Sequence, residues 1–211
     1  MNLVRETVVD AAIGVGVADR CDDLAAINHP GCAAAIWRRQ LDRDFQTWVD
    51  SLQPDELPRA RMILPPEEAA ACLLDLFDEQ HVQAGDERAW LVGDIQRLCT
   101  AFLRLVHAPF IRLRLDVVAN NACRKFHLDA VTARLVCTYR GTGTQYGVST
   151  DGADPRRIFT VATGSPIILR GTQWPETPRS GLLHRSPPIE GTGETRFVLV
   201  IDPIFDPDEE C

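Results

Sequence analysis

The sequence predicts an α+β protein: a mainly helical N-terminal part over residues 1–108 and a β-rich core over residues 109–206, in a single domain of 211 residues. Three observations lead there. Two stretches before Pro109 place apolar residues at three- and four-residue spacing, the mark of amphipathic helices. At Phe110 the period drops to two. From there short strand patterns follow one another with glycines between them and no helical pattern intervening, which points to an antiparallel sandwich or barrel and not to alternating strand–helix units.

In chain order, Leu24–Ala25–Ala26–Ile27 and Ala33–Ala34–Ala35–Ile36–Trp37 flank the turn signal Asn28–His29–Pro30–Gly31. Such a turn can join two strands or end a helix; the expectation is a hairpin at a sheet edge. Asp42 has the chemistry of an N-cap for a helix carrying Phe45, Trp48, Val49 and Leu52, stopped by Pro54. Pro65–Pro66 with Glu67 and Glu68 opens a second helix, since proline and acids both suit a first turn, and Ala70, Leu73, Leu74 and Phe77 carry its period. A third follows Gly85–Asp86 with Leu91, Ile95, Leu98, Phe102 and Leu105 on one stripe. The two successive amphipathic helices are expected on one side of a sheet.

Ile111, Leu113, Leu115 and Val117 then alternate with Arg112, Arg114 and Asp116, a half-buried strand pattern. Further strands are expected over Val131–Arg140, Ile158–Thr163, Pro166–Arg170 and Arg196–Ile201. Gly141-x-Gly143 follows a strand but opens no helix, so it does not make a dinucleotide-binding loop.

The formal charge of −8 and the scattering of the arginines argue against a nucleic-acid partner, whose binding rests on massed positive charge. No stretch reaches the roughly 18 apolar residues of a membrane span. The apolar run Val8–Ala18 is broken by Asp10, and Arg5–Glu6 is a poor flank for a signal peptide, so the expected location is cytoplasmic. Seven cysteines without a CxxC pair suit a reducing compartment better than a disulfide framework. Cys99 and Cys137 sit in apolar contexts, as core thiols do, and His29, His81 and His107 need no function.

One constellation carries chemistry. His127 and Asp129 are two residues apart, so on a strand both side chains point the same way with backbones about 7 Å apart. His184 closes a short apolar segment after a glycine turn and can supply a third ligand from a distant strand. Two imidazoles and one carboxylate form the facial triad of non-haem Fe(II) sites, with coordination positions left open for reactants.

This order of residues resembles the Fe(II)/2-oxoglutarate oxygenases, whose fold is a double-stranded β-helix, the cupin-type jelly roll. The resemblance implies that fold for the β-rich part, with the N-terminal helices packed on one side. It also implies Fe(II) on His127, Asp129 and His184, and 2-oxoglutarate with its far carboxylate on Arg196, twelve residues beyond His184. Gly164–Leu169 followed by Gly181–Leu182–Leu183–His184 looks like the run before the distal histidine in cupins. Cys123–His127, Leu135–Thr144 and Leu183–Ile189 further resemble a bacterial family of uncharacterised proteins. Members of that family tend to be encoded near zinc-homeostasis genes and metal-handling GTPases, which implies such a GTPase as a possible partner.

Two functions follow as expectations. One is an oxygenase using Fe(II) and 2-oxoglutarate on an unidentified small molecule or protein. The alternative is a non-oxidative protein in metal homeostasis holding Zn(II) in the same triad, with Cys123 able to join or replace a ligand because thiolate favours zinc. Arg114, Arg134 and Arg140 are rival anchors for an anionic group, and Trp174 is a candidate pocket wall.

Overall fold

A computed structural model describes residues 10–208; Val8, the Arg5–Glu6 flank and Cys211 lie outside the described residues. The described residues form a seven-stranded sheet, a three-stranded sheet and three α-helices. Strand β1 (Gly14–Ala18) runs parallel to β2 (Cys32–Trp37), and a 3-10 helix over Cys21–Asn28 makes the crossover between them. The expected hairpin is therefore absent. Leu24 and Ile27 lie three residues apart, so in a 3-10 turn they share one face, and both are fully buried. Arg170 holds this turn by donating from Nε and Nη2 to the Ile27 carbonyl and from Nη2 to that of His29.

Helix α1 (Arg43–Ser51) starts where predicted. The Asp42 carboxylate accepts from the Asp44 and Phe45 amides at 2.8 and 3.3 Å, a cap that contributes about 1 kcal/mol. Strand β3 (Ala60–Leu64), a short stretch between Pro58 and Pro65 with no strand signal of its own, pairs with β4 (Phe110–Val118). Helices α2 (Ala69–Glu79) and α3 (Asp86–Val106) follow the predicted stripes.

The larger sheet has the order β1-β2-β8-β5-β10-β4-β3, with β5 at Ala133–Arg140, β8 at Ile167–Arg170 and β10 at Arg196–Ile204. The smaller has the order β7-β6-β9, with β6 at Gln145–Val148, β7 at Phe159–Thr160 and β9 at Leu182–Arg185. The strand expected over Ile158–Thr163 thus shrinks to two residues, and the four residues of β6, which include Gly147, carry too little periodicity to predict a strand. Strand β10 outruns its expected end at Ile201. Its ladder with β5 stops there while that with β4 continues to Ile204, so Pro203 sits in a stretch paired on one side only, where a missing N–H is tolerated.

Alternation along β4, β5 and β10 sorts side chains into two cores. Leu113, Leu115, Leu135, Tyr139, Phe197, Leu199 and Ile201 face the helices and pack with Phe45, Leu73, Phe77, Ile95 and Phe102. Val136, Val198, Ile167 and Leu169 point the other way, toward Leu182 of the smaller sheet. Helices thus cover one face of the larger sheet, and the space between the two sheets is left for a cavity. Among the described residues no helix is long and apolar enough to cross a membrane.

Candidate metal centre

His127 does not lie in a strand ladder. It forms one antiparallel bridge with His184, the His127 amide donating to the His184 carbonyl at 3.0 Å and the His184 amide to that of His127 at 3.1 Å. Side chains of such directly opposed residues stand on the same face, and the two rings lie 4.6 Å apart between centroids. On its other side His184 is held by β6, opposite Tyr146.

Asp129 follows in irregular backbone pinned by the segment after β8. Gly171 and Thr172 donate their amides to the Thr132 and Asp129 carbonyls, and Gln173 donates to that of Val131. Gly171 has to be glycine for this docking, since a Cβ there would meet the Val131 carbonyl oxygen at 1.9 Å. The result places Asp129 Oδ1 3.5 Å from His127 Nε2 and Asp129 Oδ2 3.0 Å from His184 Nε2. One ligand atom from each residue lies within 4.8 Å of the others, a group able to hold a metal ion.

The polar atoms fit such an ion. Asp129 Oδ2 is buried and lacks a hydrogen-bond partner, a costly state for a carboxylate oxygen unless something positive meets it. His127 Nδ1 lies 2.8 Å from the Lys125 carbonyl; donation there fixes the ring and turns Nε2 toward Asp129. Burial alone would raise the Asp129 pKa, but the imidazoles of His127 and His184 beside it and the charge of Arg134 hold it well below the ordinary carboxylate range. In return the hydrogen bond to Asp129 raises that of His127, against the cost of burial.

A cavity of about 190 Å³ opens beside the triad, lined by His127, His184, Arg114, Asp116, Val198 and Arg196 among others. Arg196 is 2 % exposed. It donates from Nε to the Thr142 carbonyl at 2.6 Å and from Nη2 to Thr138 Oγ1 at 3.3 Å, and among the described residues no carboxylate pairs with it. Burial pushes its pKa down to about 10, with Glu194 acting the other way, so it stays cationic at neutral pH.

The rival anchors have other duties. Arg140 closes the C-terminal end of α1, donating to the Leu52 carbonyl at 2.6 Å and to that of Val49 at 3.3 Å. Arg134 joins Asp129 to Asp202, and Arg114 reaches Asp202 at 3.2 Å. Trp174 is no cavity wall; it packs against the helix-side core with the Arg170 guanidinium over its ring at 4.5 Å. Cys123 lines the cavity mouth, but its thiol is outside the ligand group. Sequence reading missed Asp202, although a buried acid ending the apolar run Leu199–Ile201 is itself a signal.

Among solved structures, the chain resembles the dioxygenase for auxin oxidation 1 from Arabidopsis thaliana, in its binary complex with 2-oxoglutarate, at a TM-score of 0.58 and 9 % identity over 93 % of this chain and 94 % of that one. The rice dioxygenase for auxin oxidation gives a TM-score of 0.56 and 12 % identity over 93 % and 84 %. At such identities the likeness is one of fold. No curated protein sequence matches. The chain belongs to the family described as protein of unknown function (DUF1826), which matches residues 18–202.

Proposed function

We propose that this member of the DUF1826 family is an Fe(II)- and 2-oxoglutarate-dependent oxygenase built on a double-stranded β-helix. The topology supports the fold. From β4 through the His127 segment, β5, β6, β7, β8 and β9 to β10, the chain visits the larger and smaller sheets in the order large, small, large, small, small, large, small, large. That mirror-symmetric path is what a hairpin wound into a two-layered roll produces.

The observation that carries the function is the buried guanidinium of Arg196, without a carboxylate partner among the described residues, lining the same cavity as His127 and His184. An unpaired buried cation is costly, and the cost is offset when an anionic ligand arrives. A dicarboxylate whose one end binds the metal presents its other carboxylate to such a group. The donor set of two imidazoles and one carboxylate suits Fe(II).

In this reading His127, Asp129 and His184 hold the ion, and Arg196 orients the cosubstrate through its far carboxylate. Thr138 and the Thr142 carbonyl keep the guanidinium in place. Val198 and Val136 give the cavity an apolar floor, and low polarity there strengthens the charge interactions above it. Bound Fe(II) would supply oxygen activation coupled to oxidative decarboxylation of 2-oxoglutarate.

The test is anaerobic titration of 2-oxoglutarate into Fe(II)-loaded protein, followed by measurement of succinate once oxygen is admitted. Saturable binding and succinate formation are expected. Tight zinc binding with no 2-oxoglutarate binding in the presence of Fe(II) would overturn the oxygenase reading.

A further inference from the structure

The carboxylate of Asp129 is not free to rotate, and the group that restrains it is built into the sheet. Arg134 Nη1 donates to Asp129 Oδ1 in a short contact. The remaining edge of the same guanidinium is taken by Asp202, with Nε to Oδ1 at 2.5 Å and Nη2 to Oδ2 at 2.8 Å. Asp202 is 1 % exposed and receives a further bond from Arg114 Nη2 at 3.2 Å. Arg134 and Asp202 stand on adjacent strands, one residue beyond the pair Leu135↔Ile201, and both side chains point away from the helices. Two carboxylates and two guanidiniums balance in charge, so the array can stay desolvated without a counterion.

We propose that Arg134, anchored by Asp202, is a positioning residue that restricts Asp129 to holding the metal through one oxygen. The inference rests on the metal-binding part of the proposed function and not on 2-oxoglutarate. The two oxygens of Asp129 are unequal: Oδ1 is occupied by Arg134, while Oδ2 is buried, lacks a hydrogen-bond partner and lies beside His184 Nε2. A carboxylate left to itself can grip an ion with both oxygens, which on a six-coordinate ion would leave two open positions beside two imidazoles. With Oδ1 committed, three stay open. That is the number required for a two-point chelating ligand together with one single-point ligand.

The planar fork of arginine is needed because one group must serve two carboxylates from fixed directions; lysine has the charge but not the geometry. The hydrogen bonds and ion pairs of Asp202 go to Arg134 and Arg114 and not to the triad, so it acts on the metal through Arg134.

The experiment uses the full chain loaded with Co(II), whose visible absorption responds to the identity and geometry of its ligands. Metal stoichiometry, Co(II) affinity and the visible spectrum are recorded for wild type, Arg134→Gln, Arg134→Lys and Asp202→Asn, with thermal unfolding to establish that each is folded. Folded variants should still bind one Co(II), with affinity lowered about 10–100-fold, the scale for a partner of a metal ligand, and with a changed visible band. Asp94→Asn, which lies on the helix side of the sheet and does not line the cavity, should leave the band unchanged. Wild-type protein that takes up Co(II) while folded Arg134→Gln or Asp202→Asn gives a superimposable spectrum overturns this proposal alone. Wild-type protein that takes up no Co(II) overturns the metal reading and this proposal with it.

Discussion

His127 and His184, 57 positions apart in sequence, face each other as a hydrogen-bonded pair, each amide donating to the other's carbonyl. Backbone pairing, and not side-chain attraction, therefore sets their rings 4.6 Å apart. The pairing does not depend on the imidazoles. Substitution of either ring should leave the strands in register.

His127→Ala, Asp129→Ala and His184→Ala should each remain folded and each lose divalent metal by more than the roughly 10–100-fold typical of an outer partner. Calorimetric titration with Fe(II) or Zn(II), beside circular dichroism, checks this. Retention of wild-type affinity by any of the three would remove that residue from the site.

Arg196→Met keeps much of the side-chain volume and deletes the charge. Metal content should stay near that of wild type, while 2-oxoglutarate affinity falls by roughly 2–5 kcal/mol, the cost of truncating one partner of a buried charged pair. Equal losses of metal and cosubstrate would show that the arginine serves only to shape the cavity.

Asp129 raises the His127 pKa above the ordinary histidine value of about 6.5 through their hydrogen bond. With the folded value above the unfolded one, the protonated ring stabilises the metal-free protein fully below the unfolded value. That contribution is lost as pH rises through the folded value. A metal requires the neutral ring. Stabilisation by a divalent ion should thus be larger at about pH 8 than at about pH 6. Thermal melts with and without metal across this range measure it, and a pH-independent increment would contradict the assignment.

Away from the cavity, Arg39 holds Asp94 with two bonds of 2.6 Å, and the Tyr139 hydroxyl donates to the same carboxylate at 2.8 Å. This tie joins α3 to β5 and to the segment after β2. Asp94→Ala leaves the largely buried Arg39 guanidinium without its acid and should cost about 3 kcal/mol, the lower end for breaking a buried pair. Urea unfolding should show a lower midpoint at unchanged slope. A double replacement of Arg39 and Asp94 by apolar residues of similar size should recover most of the loss.

Local pattern was enough for the helices and the long strands. Asp42 with Phe45 and Val49, the stripe Leu91–Ile95–Leu98–Phe102, and the alternation Ile111–Leu113–Leu115 each need only near neighbours along the chain, because a period of 3.6 or 2 is written in consecutive residues. The residue types and spacing of His127, Asp129, His184 and Arg196 were visible for the same reason. What could not be read was everything that depends on partners far along the chain. Strand β6 exists because β9 pairs with it, and Leu24–Ile27 turn into a 3-10 helix beneath Arg170. Arg114, Arg134 and Arg140 look alike in sequence, yet long-range packing sends one to α1 and two to Asp202. Register between strands remote in sequence is a property of the assembled sheets, and among these four arginines it leaves Arg196 fully buried without a carboxylate in an ion pair.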